Sequence, residues 1–161
     1  MNNYLNNCRI ILVNTTEPGN IGSAARAMKT MGVTELYLVS QDSNIINEYA
    51  IARACGADDI LNNIVIVSTL KEAINGCQYL LGTSARSRSL SSPVIDPRKA
   101  ANIAINDYAV NNSKVGVIFG QERMGLTNEE LSICHAQILI PTNKEYSSLN
   151  IASAVQLICY E

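Results

Sequence analysis

Short apolar runs alternate with stretches of helical periodicity along the whole chain. Arg9 to Val13 is a strand-like run whose Ile10–Val13 portion is apolar enough to be buried on both faces. Asn20 to Met31 follows as a helix, stopped by Gly32. Glu35 to Val39 reads as a second strand, Glu48 to Cys55 as a short helix ending at Gly56, and Ile64 to Val67 as a third strand. Leu70 to Asn75 is a helix closed by Gly76, and Gln78 to Leu81 begins a fourth strand that ends at Gly82-Thr83-Ser84. Arg86 to Pro97 is a polar, serine-rich connection, and Arg98 to Tyr108 is helical. Val115 to Phe119, Asn128 to Cys134, Gln137 to Ile140 and Ser148 to Glu161 complete the series as strand, helix, strand and helix. Strands alternating with helices predict an α/β fold, a parallel sheet with helices on both faces. The asparagine-rich pieces near Asn2, Asn62 and Asn111 predict turns. No internal repeat or domain boundary interrupts the pattern, so 1–161 reads as a single domain.

The stretch from Asn14 to Lys29 organises the rest. Pro18 and Gly19 turn the chain after the first strand, and Asn20 stands where a helix cap is expected. Ile21, Gly22, Ser23, Ala24 and Ala25 are small or apolar and let the helix start lie close to a strand or a ligand. Arg26 is the first charge on that helix, less than two turns beyond Asn20. Bare amides at such a helix start suit an anion or cofactor, although a tight strand-to-helix connection with no ligand accounts for the same pattern.

Composition narrows the class. With 161 residues, 47% of them hydrophobic, one Phe and no Trp, the chain can bury a sizeable aliphatic core. No apolar run approaches the ~20 residues that cross a bilayer, and Met1-Asn2-Asn3-Tyr4 lacks a signal pattern. Cys8, Cys55, Cys77, Cys134 and Cys159 form no C-x-x-C pair, so neither zinc nor a disulfide framework is indicated and a reducing cytoplasm is the simplest location. No metal cluster is expected, and the single histidine, His135, sits at a helix-to-strand turn as a structural residue. The net charge of −2 argues mildly against a nucleic-acid binder.

Three further segments carry candidate chemistry. Gly82-Thr83-Ser84-Ala85-Arg86-Ser87-Arg88 leaves a strand with hydroxyls and two arginines, the place where open α/β sheets bind ligands, or else a solvated loop. Val117 to Leu126 runs from a buried strand into Gly120, a Glu122–Arg123 pair and Gly125; Glu122 is either used there or held in a surface ion pair. Ile138 to Ala152 passes from a strand through a polar turn to Ser147 or Ser148, either of which caps a long apolar helix. No G-x-G-x-x-G fingerprint is present, which argues against a nicotinamide enzyme.

Taken together in order, these segments resemble the SPOUT class of RNA methyltransferases, in its TrmH branch and closest to its TrmJ type of tRNA (cytidine/uridine-2′-O)-methyltransferases. Asn20 to Lys29 is similar to the first family motif, Phe119 to Leu126 to the second, and Ile140 to Asn143 with Tyr146 to Asn150 to the third. Gly82-Thr83-Ser84-Ala85-Arg86 is also similar to TrmJ-type proteins. Glu17, Gln121 and Lys144 depart from the family pattern, where His, a basic residue and Pro are expected. The resemblance implies a C-terminal deep trefoil knot holding S-adenosylmethionine, lined by Thr83, Ser84, Ala85, Gly120, Ile140, Ser147, Ser148 and Leu149. It implies methyl transfer to a ribose 2′-hydroxyl of tRNA, in the anticodon loop. Arg26 would clamp a phosphate beside the target ribose, with Asn20 and Glu122 fixing Arg26 and the loop, and Ser148 and Asn150 positioning cofactor or ribose. It also implies a homodimer, so that weakly basic faces built from Arg86, Arg88, Arg98, Lys99, Arg123 and Lys144 combine. The final helix has no Gly, Asn or Pro to close it, and TrmJ-type proteins continue into a helical extension, so a chain cut before that extension is expected. The alternatives are a module of the same fold that binds without turnover, and a flavodoxin-like nucleotide binder.

Overall fold

The computed structural model describes residues 3–161. The expected turn at Asn2 lies outside the described residues.

Seven parallel strands form one sheet in the order β3-β2-β1-β6-β4-β7-β5. They are β1 (Cys8–Val13), β2 (Glu35–Val39), β3 (Val65–Val67), β4 (Tyr79–Ser84), β5 (Val94–Ile95), β6 (Val115–Phe119) and β7 (Ala136–Leu139). The helices are α1 (Pro18–Met31), α2 (Glu48–Ala54), α3 (Asp58–Asn62), α4 (Leu70–Ala73), α5 (Pro97–Ile103), α6 (Asn128–Ser132) and α7 (Ile151–Tyr160). In β1 the side chains alternate between two cores. Ile10 and Leu12 join the larger one with residues of α1, α2, α3, α5 and α7, while Ile11 and Val13 join the smaller one with residues of α4 and α6. Burial on both faces is why the strands read as continuous apolar runs rather than alternating ones.

The helix ends differ from expectation in instructive ways. α1 begins at Pro18, not Asn20. Proline suits the first helical position because its fixed φ is already helical and its missing N–H would go unpaired anyway. Asn20 is therefore inside the first turn, and the N-cap residue Glu17 makes no side-chain cap. α7 begins at Ile151 and is capped by Asn150, whose Oδ1 accepts from the Ala152 amide at 2.9 Å, so neither Ser147 nor Ser148 is the cap. The serine-rich connection contains β5, two residues that pair with β7 at the sheet edge, too short to show any periodicity. α3 is not among the helices expected from the sequence; it ends at Asn62, and the turn expected in this asparagine-rich piece is at Asn63. The helix expected at Arg98–Tyr108 is α5 followed by a π turn at Ala104–Tyr108, and Asn111 closes a 3-10 turn.

Gly22 shows how tightly α1 packs on α2. A Cβ there would stand 2.0 Å from the Ala50 carbonyl oxygen, a backbone atom that cannot rotate away.

At the N-terminal edge of the sheet, Arg9 is buried at 6% exposure. Its Nε donates to Glu35 Oε2 at 3.0 Å, and its Nη1 donates to the carbonyls of Ala73 and Asn75 at 2.7 and 2.8 Å. Its guanidinium carbon lies 3.9 Å from the centre of the Tyr37 ring. Lys114 Nζ donates to both Glu35 oxygens, at 3.0 and 2.9 Å. Glu35→Ala removes the one carboxylate paired with this buried guanidinium among the described residues, and is expected to lower stability by about 3 kcal/mol, the low end for such a loss because Glu35 itself is partly exposed. Urea denaturation checks this, with Lys114→Ala as a control expected to cost no more than about 1 kcal/mol.

Candidate functional site

β4 lies between β6 and β7, so the segments that leave these strands emerge side by side at their C-terminal ends. Open α/β sheets bind ligands outside the carboxyl ends of their strands. Here those segments enclose a cavity of about 760 Å³, with α7 as one wall. Thr83, Ser84, Ala85, Gly120, Ile140, Ser147, Ser148 and Leu149 all line it. So do Glu122 and Asn150. Phe119, Thr142 and Ile151, which lie in the segments named from the sequence but not among its expected lining residues, line it as well, as does Ala154, outside those segments. Ile151 and Ala154 are three apart at the start of α7, a spacing that puts both on one helix face and marks them in retrospect.

The loop after β6 is a tight turn. The Gly125 amide donates to the Gln121 carbonyl at 2.9 Å, and Arg123 and Gly125 both take left-handed backbone conformations, at φ 71° and 68°. Such a conformation is costly for arginine and persists where the surroundings impose it, often at functional sites. The loop after β7 is pinned by an Asn143 side chain that accepts from the Glu145 amide at 2.9 Å. Thr83 donates to the Ile118 carbonyl at 3.1 Å and Ser84 to the Arg86 carbonyl at 2.6 Å. Among the described residues, the hydroxyls of Ser147 and Ser148 make no hydrogen bond within the chain, which leaves them available to a ligand.

Glu122 ties this site to α1. It accepts from the amides of Thr16 and Glu17 at 3.3 and 3.5 Å and from Asn20 Nδ2 at 3.2 Å. A carboxylate near a helix N-terminus is favoured by the helix dipole, and Glu122 fixes the residues that lead into α1 rather than capping its first-turn amides. It is in no ion pair among the described residues, which removes the expected surface pairing as its alternative role. Asn20 Oδ1 in turn accepts from Asn150 Nδ2 at 3.1 Å. Glu122, Asn20 and Asn150 thus form one hydrogen-bonded chain joining the β6 loop, α1 and the cap of α7.

Arg26 is placed elsewhere. It is exposed on α1, its Nη1 is 3.6 Å from Cys55 Sγ at the end of α2, and it does not line the cavity. Asn20 and Glu122 bond to each other and not to Arg26, contrary to the expectation that they fix it. Of the expected basic surface, Arg86, Arg88 and Arg123 line the cavity, whereas Arg98 is taken by Glu161 at 3.1 Å. His135 is structural, as expected: its Nδ1 accepts from the Leu80 amide at 2.9 Å beside the β4–β7 ladder. Burial pushes the thiols of Cys134 and Cys159 up to about 12 and that of Cys8 up to about 11, which keeps them protonated and unreactive at neutral pH. All five cysteines are free. Among the described residues, no group of His, Cys, Asp and Glu side chains is arranged to hold a metal ion, and no helix is long and apolar enough to cross a membrane.

An open parallel sheet with a ligand-sized cavity built from the loops after β4, β6 and β7 defines a class, and the chain belongs to the SpoU rRNA methylase family, whose model matches residues 7–160. Within that family it is 50% identical over 157 residues to the tRNA (cytidine/uridine-2′-O-)-methyltransferase TrmJ of Photorhabdus laumondii, an alignment covering 98% of this chain and 64% of the relative. The chain thus spans a little under two thirds of the length of that curated relative. It superimposes with a TM-score of 0.89 on a probable methylase family protein from Haemophilus influenzae Rd KW20, at 49% identity over 97% of this chain and 64% of that one. A more distant likeness of fold, with a TM-score of 0.72 at 22% identity over 94% of this chain and 54% of that one, is to the SpoU methyltransferase AviRb from Streptomyces viridochromogenes in complex with AdoMet.

Proposed function

We propose that this protein transfers the methyl group of S-adenosylmethionine to a ribose 2′-hydroxyl of tRNA, at a cytidine or uridine of the anticodon loop, as a cytoplasmic homodimer. The observation that carries this is the cavity beyond β4, β6 and β7. Apolar Phe119, Ile140, Leu149 and Ile151 offer a surface for an adenine ring, and the hydroxyls of Ser147, Ser148 and Thr142 suit a ribose and an amino-acid group. The volume of about 760 Å³ falls in the range of small-molecule sites. The 50% identity to a TrmJ favours tRNA over other RNA. The family resemblance implies that the C-terminal chain, whose helix α7 packs back onto α1, is threaded as a deep trefoil knot.

The cofactor supplies an electrophilic methyl group on a sulfonium. The protein then has to hold the 2′-oxygen in line with it, since positioning alone lowers the barrier by several kcal/mol. Ser148 and Asn150, on the cavity wall, orient the ribose. The Glu122–Asn20–Asn150 chain keeps the cap of α7 and the β6 loop in register with α1, so this wall does not drift. Arg26 clamps the phosphate next to the target ribose and lowers the pKa of its hydroxyl. It is not the base, because a guanidinium stays protonated; the proton passes to the adjacent phosphate. Arg26 lies outside the cavity of its own chain, so a homodimer that carries it to the mouth of the other copy's cavity is part of this proposal.

The test is transfer of labelled methyl from S-adenosylmethionine to total tRNA, mapped by resistance to alkaline cleavage. One resistant linkage in the anticodon loop is expected. Calorimetric binding of the cofactor without any transfer would instead identify a binding module of the same fold, the reading that Arg26's distance from the cavity favours.

A further inference from the structure

A second cavity, of about 390 Å³, lies between the C-terminal end of β1 and the segment running from the β6 loop into α6. The two cavities share an edge formed by Arg86, Arg88, Gln121, Met124 and Gly125. The second one adds Val13, Leu126, Asn14 and Asn128 to its walls. Arg88 is anchored on that edge, its Nη1 donating to Asn128 Oδ1 at 3.0 Å while its Nε is buried without a partner. Neither Arg86 nor Arg88 is in an ion pair among the described residues. The acidic residue of this cavity, Glu130, is engaged by the Thr127 amide at 2.7 Å. Asn14 adopts a left-handed backbone at φ 56°, a turn conformation that asparagine tolerates readily.

We propose that this second cavity receives the nucleotide adjacent to the methylated one, with the phosphate between the two nucleotides held by Arg86 and Arg88. The inference rests on the methyltransferase reading above and names a subsite within it. Neighbouring nucleotides of an RNA strand are joined by a single phosphate, and the shared edge is where that phosphate has to cross from one cavity to the next. A guanidinium grips phosphate through paired N–H donors, and its charge does not titrate away. The amides of Asn14 and Asn128 present both donors and acceptors, as a base edge requires. The buried core residues Val13 and Leu126 close the inner end of the cavity. A volume of about 390 Å³ is within the range of small-ligand sites. Single-stranded RNA is recognised in this way, by splayed bases entering pockets while arginines follow the backbone.

The experiment follows amide NMR signals of the protein saturated with S-adenosylhomocysteine while uridine 5′-monophosphate, uridine or inorganic phosphate is added. The monophosphate is expected to shift Asn14, Leu126 and Asn128 and to bind at least about tenfold more tightly than uridine or inorganic phosphate alone. Arg88→Ala should weaken it by about tenfold and Arg88→Lys by less, because lysine keeps the charge and loses the paired donors. Arg88 lines the first cavity as well, so S-adenosylhomocysteine affinity is measured on each variant and the monophosphate titrations are run at its saturation. Shifts confined to the first cavity, inorganic phosphate binding as tightly as the nucleotide, or indifference to Arg88→Ala would each overturn the subsite. Failure of S-adenosylhomocysteine to bind, read separately by calorimetry, would overturn the methyltransferase reading itself.

Discussion

Gly120→Ala is expected to weaken S-adenosylhomocysteine binding by at least about a hundredfold, or roughly 2.7 kcal/mol, while the protein remains folded. A Cβ at Gly120 would stand 2.1 Å from the Gly125 carbonyl carbon, 2.2 Å from the Leu126 nitrogen and 2.6 Å from Gly125 Cα. All three are backbone atoms, so no rotamer change relieves the contact. The end of β6 is buried in the sheet, which leaves the turn from Gln121 to Gly125 as the part that moves. That turn is one wall of the cavity. Overpacking of this kind costs about 1–3 kcal/mol of stability, less than the 5–15 kcal/mol typical of a folded domain. Gly82→Ala is the informative contrast. A Cβ there would meet the Cys134 sulfur and a Leu131 methyl, both at 2.8 Å, and those are ends of side chains that can shift. Its effect on cofactor affinity should stay within a few fold. Calorimetry with a thermal melt separates loss of the site from loss of the fold. A Gly120→Ala protein that binds within threefold of the parent would remove the cavity from the cofactor assignment.

The second large effect is expected at Arg26. Arg26→Ala should slow methyl transfer by at least about a thousandfold, equivalent to roughly 4.1 kcal/mol of transition-state stabilisation. Cofactor affinity should stay within threefold, because Arg26 is outside the cavity, and stability should barely change, because Arg26 is exposed and its side-chain hydrogen bond among the described residues is the long one to Cys55 at 3.6 Å. A variant that turns over normally would exclude Arg26 from the reaction. The proposed homodimer adds a sharper measurement. If each copy lends Arg26 to its partner, a mixture of Arg26→Ala and Gly120→Ala proteins forms mixed dimers with one intact site, since a two-fold interface brings the same surface to both copies. The mixture should then exceed either variant alone. Activity no greater than the sum of the two would place Arg26 in its own chain's reaction or in none.

The elements built from local pattern were legible without coordinates. The apolar run at Val115–Phe119 is β6 residue for residue, and the small-residue stretch after Pro18 is the helix that packs on α2. These follow from the periodicity of burial, which neighbouring residues carry among themselves. The segments destined to meet at the cavity could also be named, because a strand end followed by glycine and hydroxyls exposes backbone wherever the sheet places it. Other features depended on residues far apart in the chain. Asn20 looks like a cap from its neighbours, yet Pro18 starts the helix and the Asn20 side chain donates to Glu122, 102 positions away. Asn20 also meets Asn150, across 130 positions. β5 is two β-branched residues, Val94 and Ile95, too short to show alternation, and it is their pairing with β7 that makes them a strand. Arg26 belongs to the same motif as Asn20, but six residues of helix carry it around to the α2 side, away from the cavity. The amino-acid sequence by itself determined which faces are apolar, where strands run and which segments carry polar groups. Only the tertiary structure decided which polar groups are partners, because a hydrogen bond depends on where the sheet order brings distant loops, and that order is not written in any one of them.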